Sequence, residues 1–142
     1  MALTRSAMPH VLVVDDDPGV RMVTSWILDH AGYEVSAAGG VQEGLDAMMR
    51  RIPDVVVTDF CMPDGTGRDI LEGARELPTC PAVIVVSGSV QGPLLTELLS
   101  AGASQVLAKP FSPRDLLGAV QAGAERSWAG RGLSTSGEHL SA

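Results

Sequence analysis

Short apolar runs, most of them rich in valine, recur five times along the chain, at residues 11–14, 34–37, 55–58, 82–86 and 106–108. Runs of this kind mark strands covered on both faces, as in a parallel sheet. Between and after them, apolar residues return every three or four positions, the period of a helix packed on one side. The first helical stretch has Asp17 as a candidate N-cap, Pro18 at its first position and Gly32 just past its end, and Val20, Val23, Ile27 and Ala31 predict its apolar side. The second carries Val41, Leu45, Met48, Met49 and Ile52 up to Pro53; the third carries Ile70, Leu71, Ala74 and Leu77 up to Pro78. The fourth starts at Pro93, carries Leu94, Leu95, Leu98 and Leu99, and ends near Gly102. The fifth has Ser112 as N-cap, Pro113 next and Asp115 three residues after the cap, a capping box with Asp in place of Glu, and continues through Leu116, Leu117 and Val120. Five βα units in a row predict an α/β fold: an open parallel sheet with right-handed crossovers and helices on both faces.

The length of 142 residues fits one domain. We place it at residues 9–127, after an extension at 1–8 and before a Gly/Ser-rich stretch, 128–142, expected to be a flexible tail. Hydrophobic residues make up 45% of the chain and aromatic ones 4%, so the core is built from aliphatic side chains. A formal net charge of -7 argues against a nucleic-acid-binding surface, which would be a basic patch. Two cysteines, Cys61 and Cys80, and a start without an apolar leader point to reduced thiols in a cytoplasmic protein. No apolar run approaches the ~20 residues needed to span a bilayer.

The chemistry gathers at the strand ends. The first strand runs into Asp15, Asp16 and Asp17, the third into Asp59, the fourth into Ser87 and the fifth into Lys109; the second delivers no such group. Open α/β sheets bind ligands outside the carboxyl ends of their strands. Asp15, Asp16 and Asp59 would repel one another in a shared cleft, and a hard divalent cation such as magnesium resolves this. A lysine and a hydroxyl beside such a cluster suit a phosphoryl group, for which positioning and charge neutralisation are most of the catalysis. An aspartate can be the nucleophile and form an acyl phosphate. The scattered His10, His30 and His139 receive no role. Arg21, Arg50 and Arg51 read as solvated helix charges, Met48 and Met49 as helix packing, and Cys80 as a buried or loop thiol.

The segments VLVVDDDP, VVVTDFCMPDGTG, VIVVSGS and AGASQVLAKPF, in this order and at these separations, resemble the four signature segments of bacterial response-regulator receiver domains. The resemblance covers roughly residues 9–127. It implies the flavodoxin-like strand order 2-1-3-4-5 and a cis bond between Lys109 and Pro110. It implies Asp59 as phosphoacceptor, magnesium held by Asp15, Asp16, Asp59 and the main-chain carbonyl of Cys61, and Ser87 and Lys109 as partners of the phosphoryl group. The implied donor is a sensor histidine kinase or a histidine phosphotransfer protein, and the output is binding of a downstream protein. Such a domain is not an enzyme beyond catalysing its own phosphorylation and dephosphorylation. It is expected to be monomeric when unphosphorylated, because Ser104 and Gln105 stand where the transcription-factor branch has acidic dimer residues.

Two further departures bear on function. Val106 stands where many relatives place an aromatic that swings inward on activation, which shifts the expected output towards the loop after Ser87. Cys61 and Ser89 stand where, by the resemblance, two side chains flank the approach of hydrolytic water, and neither a thiol nor a short hydroxyl orients water well, so a long-lived phosphoryl group is expected. Three alternatives stand beside this reading. A haloacid-dehalogenase-like phosphatase would use Asp15 and Asp17 as its D-x-D motif, but would leave Asp59 idle and lacks the acidic pair after Lys109. A receiver-like module that is never phosphorylated would lack one of the acidic residues or the lysine. The chain could also be a receiver from a hybrid kinase or larger regulator.

Overall fold

The computed structural model describes residues 8–88 and 92–136, the side chains only as far as 127. Five βα units follow one another: β1 (His10–Val14), α1 (Pro18–His30), β2 (Glu34–Ala38), α2 (Val41–Arg50), β3 (Val55–Asp59), α3 (Gly67–Arg75), β4 (Ala82–Ser87), α4 (Gly92–Ser100), β5 (Gln105–Ala108) and α5 (Pro113–Ser136). The strands form one parallel sheet in the order 2-1-3-4-5. A two-residue hairpin, Cys61–Met62 against Gly65–Thr66, lies between β3 and α3 and has no counterpart in the sequence reading.

The valine runs are continuous because both faces of the sheet are buried. Alternate residues serve opposite layers. Leu12, Val14, Val56, Val83 and Val85 pack with Met48, Ile70, Leu71 and Leu98 of α2, α3 and α4. Val11, Val13, Val55, Val57, Ile84 and Val86 pack with Leu28 of α1 and with Leu116 and Val120 of α5. Asp17 caps α1, its side chain accepting from the backbone N–H of Gly19 and Val20, and Gly32 (φ +101°) lets the chain turn into β2. At α2 the N-cap Gly40 has no side chain to offer, and Asp64 does the capping from the turn of the hairpin after β3: its carboxylate accepts from Val41 N–H at 2.9 Å and Gln42 N–H at 3.0 Å. Those bonds hold the Asp64 carboxyl below its usual pKa.

Three expectations are corrected. The side of α1 buried in the core is Thr24 and Leu28, with the half-buried Ile27 packed against it as expected, whereas Val20 is only half-buried and Val23 is 56% exposed. Of the two adjacent methionines only Met48 is packed; Met49 is exposed. The chain does not become irregular at residue 128, because α5 continues to Ser136. Extending a helix already nucleated costs little per residue, so its glycines do not end it. Residues 1–7 and 137–142, the rest of the expected extension and tail, lie outside the described residues.

His10, at the start of β1, is buried; its Nε2 shares a 2.7 Å hydrogen bond with Ser36 Oγ, and its Nδ1 has no partner among the described residues. Burial first, and Arg51 second, push its pKa below 6.5, outweighing Glu34 and Asp54. The unfolded chain therefore binds a proton that the folded chain refuses. Stability is unaffected above pH ~6.5 and declines as pH falls below that value towards the lowered folded pKa. Urea unfolding across this window should show the decline in the native protein and a flatter profile in His10→Gln; equal slopes would remove His10 as the cause.

Candidate functional site

The parallel register brings the strand ends level. Val14 pairs with Thr58, Asp59 with Val86, and Ser87 with Ala108. Asp15 and Asp16 leave β1, Asp59 ends β3, Ser87 ends β4 and Lys109 follows β5. One carboxylate oxygen from each of Asp15, Asp16 and Asp59 can be chosen so that all lie within 4.8 Å of one another. Lys109 Nζ lies 3.3 Å from Asp59 Oδ1 and 3.7 Å from Asp15 Oδ2.

Asp59 and Asp15 are each held by a backbone N–H as well. Asp59 Oδ1 also accepts from Phe60 N–H at 2.9 Å, and Asp15 Oδ1 accepts from Asp17 N–H at 2.9 Å. Burial pushes the Asp15 carboxyl above its usual pKa; the Asp17 N–H and Lys109 act against this, and Asp59 and Asp16 add to it. The backbone N–H of Lys109 donates to the Ser87 carbonyl at 2.9 Å, so the strand ends carrying the hydroxyl and the ammonium are tied together. The Lys109–Pro110 bond is cis. Gly67 is required by close approach, since a Cβ there would lie 2.9 Å from the Asp59 carbonyl.

The structure thus gathers Asp15, Asp16, Asp59 and Lys109, and places the buried Ser87 at the neighbouring strand end. Cys61 stands in the hairpin two residues beyond Asp59, with its side chain exposed. Ser89 lies outside the described residues. Asp17 caps α1 and is not among the clustered carboxylates. Val106 packs against the core beneath α4. Arg21 is not a solvated charge: its Nη1 donates to the Asp15 carbonyl at 2.7 Å. Arg51 pairs with Glu34.

The donor set fits a hard divalent cation, being all oxygen, clustered and negative. Three carboxylates against one ammonium leave a formal charge of -2 (−3 + 1). Beside the cluster, Val20, Val23 and Ile27 of α1 and Lys109, Pro110 and Phe111 line an apolar surface groove. No helix among the described residues is long and apolar enough to cross a membrane.

The family model of the response regulator receiver domain matches residues 11–121. The transcriptional regulatory protein KdpE of Mycobacterium tuberculosis is 35% identical over 122 residues, which are 86% of this chain and 54% of that protein, so the chain spans about half of that relative's length. The chemotaxis protein CheY of Thermotoga maritima is 32% identical over 111 residues, 78% of this chain and 92% of that one. The crystal structure of a CheY-like receiver domain protein from Methanospirillum hungatei is matched with a TM-score of 0.80 at 31% identity, covering 86% of this chain and 98% of that one.

Proposed function

The chain belongs to the response regulator receiver domain family, and on that premise we propose that it is a cytoplasmic phosphoacceptor, taking a phosphoryl group on Asp59 from a phosphohistidine in a magnesium-dependent reaction. The observation that carries the reading is the carboxylate trio with its residual charge of -2 (−3 + 1), met by a single ammonium at 3.3 Å and 3.7 Å.

In this reading Asp59 Oδ2 is the nucleophile, because Oδ1 is already engaged by Phe60 N–H and Lys109. Its lone pair forms the O–P bond as the P–N bond of the donor imidazole breaks; the electron pair leaves with the nitrogen, which takes a proton from water. Bound magnesium, held by Asp15, Asp16, Asp59 and the Cys61 carbonyl, supplies charge neutralisation for the phosphoryl oxygens. Lys109 does the same from the end of β5, and the Ser87 hydroxyl hydrogen-bonds a phosphoryl oxygen once it is in place. The apolar groove between α1 and the Lys109–Pro110–Phe111 segment borders Lys109, which suits it to dock the phosphodonor, a histidine kinase or phosphotransfer protein. The domain turns over no other substrate. Its output is altered binding of a downstream protein.

Incubation with phosphoramidate and magnesium should add one phosphoryl group by intact mass, and EDTA should prevent it. No mass gain in magnesium, or an equal gain in EDTA, would refute the reading.

A further inference from the structure

We propose that Arg21 is a positioning residue for the magnesium site, fixing the peptide from which Asp16 departs; this rests on the magnesium reading above. The three clustered carboxylates are not held alike. Asp15 is gripped by Asp17 N–H and Lys109, and Asp59 by Phe60 N–H and Lys109. Among the described residues, no hydrogen bond or ion pair reaches the carboxylate of Asp16, the exposed member of the trio. The direction in which Asp16 presents its oxygens is therefore set by the main chain that carries it.

That main chain is clamped on both sides of Asp15. Its N–H donates to the Ala38 carbonyl at the end of β2, at 3.1 Å. Its C=O, half of the peptide that joins it to Asp16, accepts from Arg21 Nη1 at 2.7 Å. Arg21 reaches back from the first turns of α1, which Asp17 caps, so the clamp is anchored on a rigid element. The bond goes to a carbonyl, so the guanidinium steadies the ligand-bearing peptide and leaves the carboxylates free for the cation.

The slot for this guanidinium is kept by Gly39. A Cβ at Gly39 would stand 3.2 Å from Arg21 Nη1 and 3.3 Å from Glu43 Oε1, which is itself held by the Gly39 N–H at 3.0 Å. A methyl group there must push either the guanidinium or the Glu43 carboxylate aside. Gly39→Ala thus disturbs the clamp without removing its charge, and Arg21→Met removes the donors while keeping the apolar stem.

The test measures magnesium binding to unphosphorylated native protein, Arg21→Met and Gly39→Ala by calorimetric titration, and melting of each in EDTA. A hydrogen bond from a charged donor, lost from a preorganised site, should weaken the magnesium Kd of Arg21→Met about tenfold. Gly39→Ala should weaken it less, and melting in EDTA should change little in either. At saturating magnesium, Arg21→Met should regain the native extent of phosphoramidate labelling. A native Kd in Arg21→Met overturns the proposal, and so does a lowered melting temperature in EDTA with Kd unchanged, since Arg21 would then only anchor the helix. If Arg21→Met does not fold, the Kd of Gly39→Ala decides: weakened supports the proposal, native refutes it. Absence of magnesium binding by the native protein is a separate outcome; it would fell the metal reading and the Arg21 role with it.

Discussion

Asp59→Asn is expected to take up no measurable phosphoryl group from phosphoramidate where the native protein is labelled to completion, a loss on the order of 10³-fold or more. The substitution keeps the shape of the side chain, and the amide oxygen can still accept from Phe60 N–H, the bond that holds Oδ1 at 2.9 Å. What it removes is the anionic nucleophile. Neither neighbour can replace it. Asp15 is buried and pinned by Asp17 N–H and Lys109, and its raised pKa reflects how costly its charge already is. Asp16 lies on the exposed side of the cluster, with no hydrogen bond to aim it at a phosphorus atom above Asp59. Intact mass with peptide mapping checks the result. Label on Asp15 or Asp16 in the variant would mean that the cluster has more than one acceptor.

What was legible in the sequence, and what was not, follows from the reach of each interaction. The three central strands β1, β3 and β4 could be read because burial on both faces writes itself as valine runs, while the edge strands β2 and β5, only partly buried, were placed by the βα alternation around them. The site could be read because parallel strands deliver their carboxyl ends to one edge, so that Asp15, Asp16, Asp59 and Lys109 meet although they lie far apart along the chain. The buried side of α1 was partly misread because Val20 and Val23 line the groove beside Lys109, while a threonine, Thr24, turns into the core; Ile27 borders the groove and also packs against the core as expected. Arg21 and Asp64 were missed for a shared reason. Both bond to backbone groups, Arg21 to the Asp15 carbonyl and Asp64 to the N–H groups of Val41 and Gln42, and a backbone partner leaves no mark in the pattern of side chains. The continuation of α5 escaped because glycine content was taken as a stop, whereas each helical glycine costs only ~1 kcal/mol relative to alanine.

The second large effect is expected from the metal ligands. Magnesium that binds the native cluster and not the unfolded chain stabilises by RT ln(1 + [L]/Kd), about 2.7 kcal/mol at a hundredfold excess over Kd. For a domain of this size that is a melting-temperature rise on the order of 10 °C. Asp16→Ala should lose most of this rise, because it removes a ligand oxygen on the solvent side, where a cation enters. The same variant should melt no lower than the native protein in EDTA. Without the cation, Asp16 only adds repulsion to a cluster whose formal charge is -2 (−3 + 1). The opposite signs of the two effects separate a metal ligand from an ordinary structural aspartate, whose removal would lower both melting temperatures together. Differential scanning calorimetry of both proteins, with magnesium and with EDTA, makes the comparison. An undiminished magnesium response in Asp16→Ala would place the cation elsewhere, and a large loss of stability in EDTA would make Asp16 a structural residue.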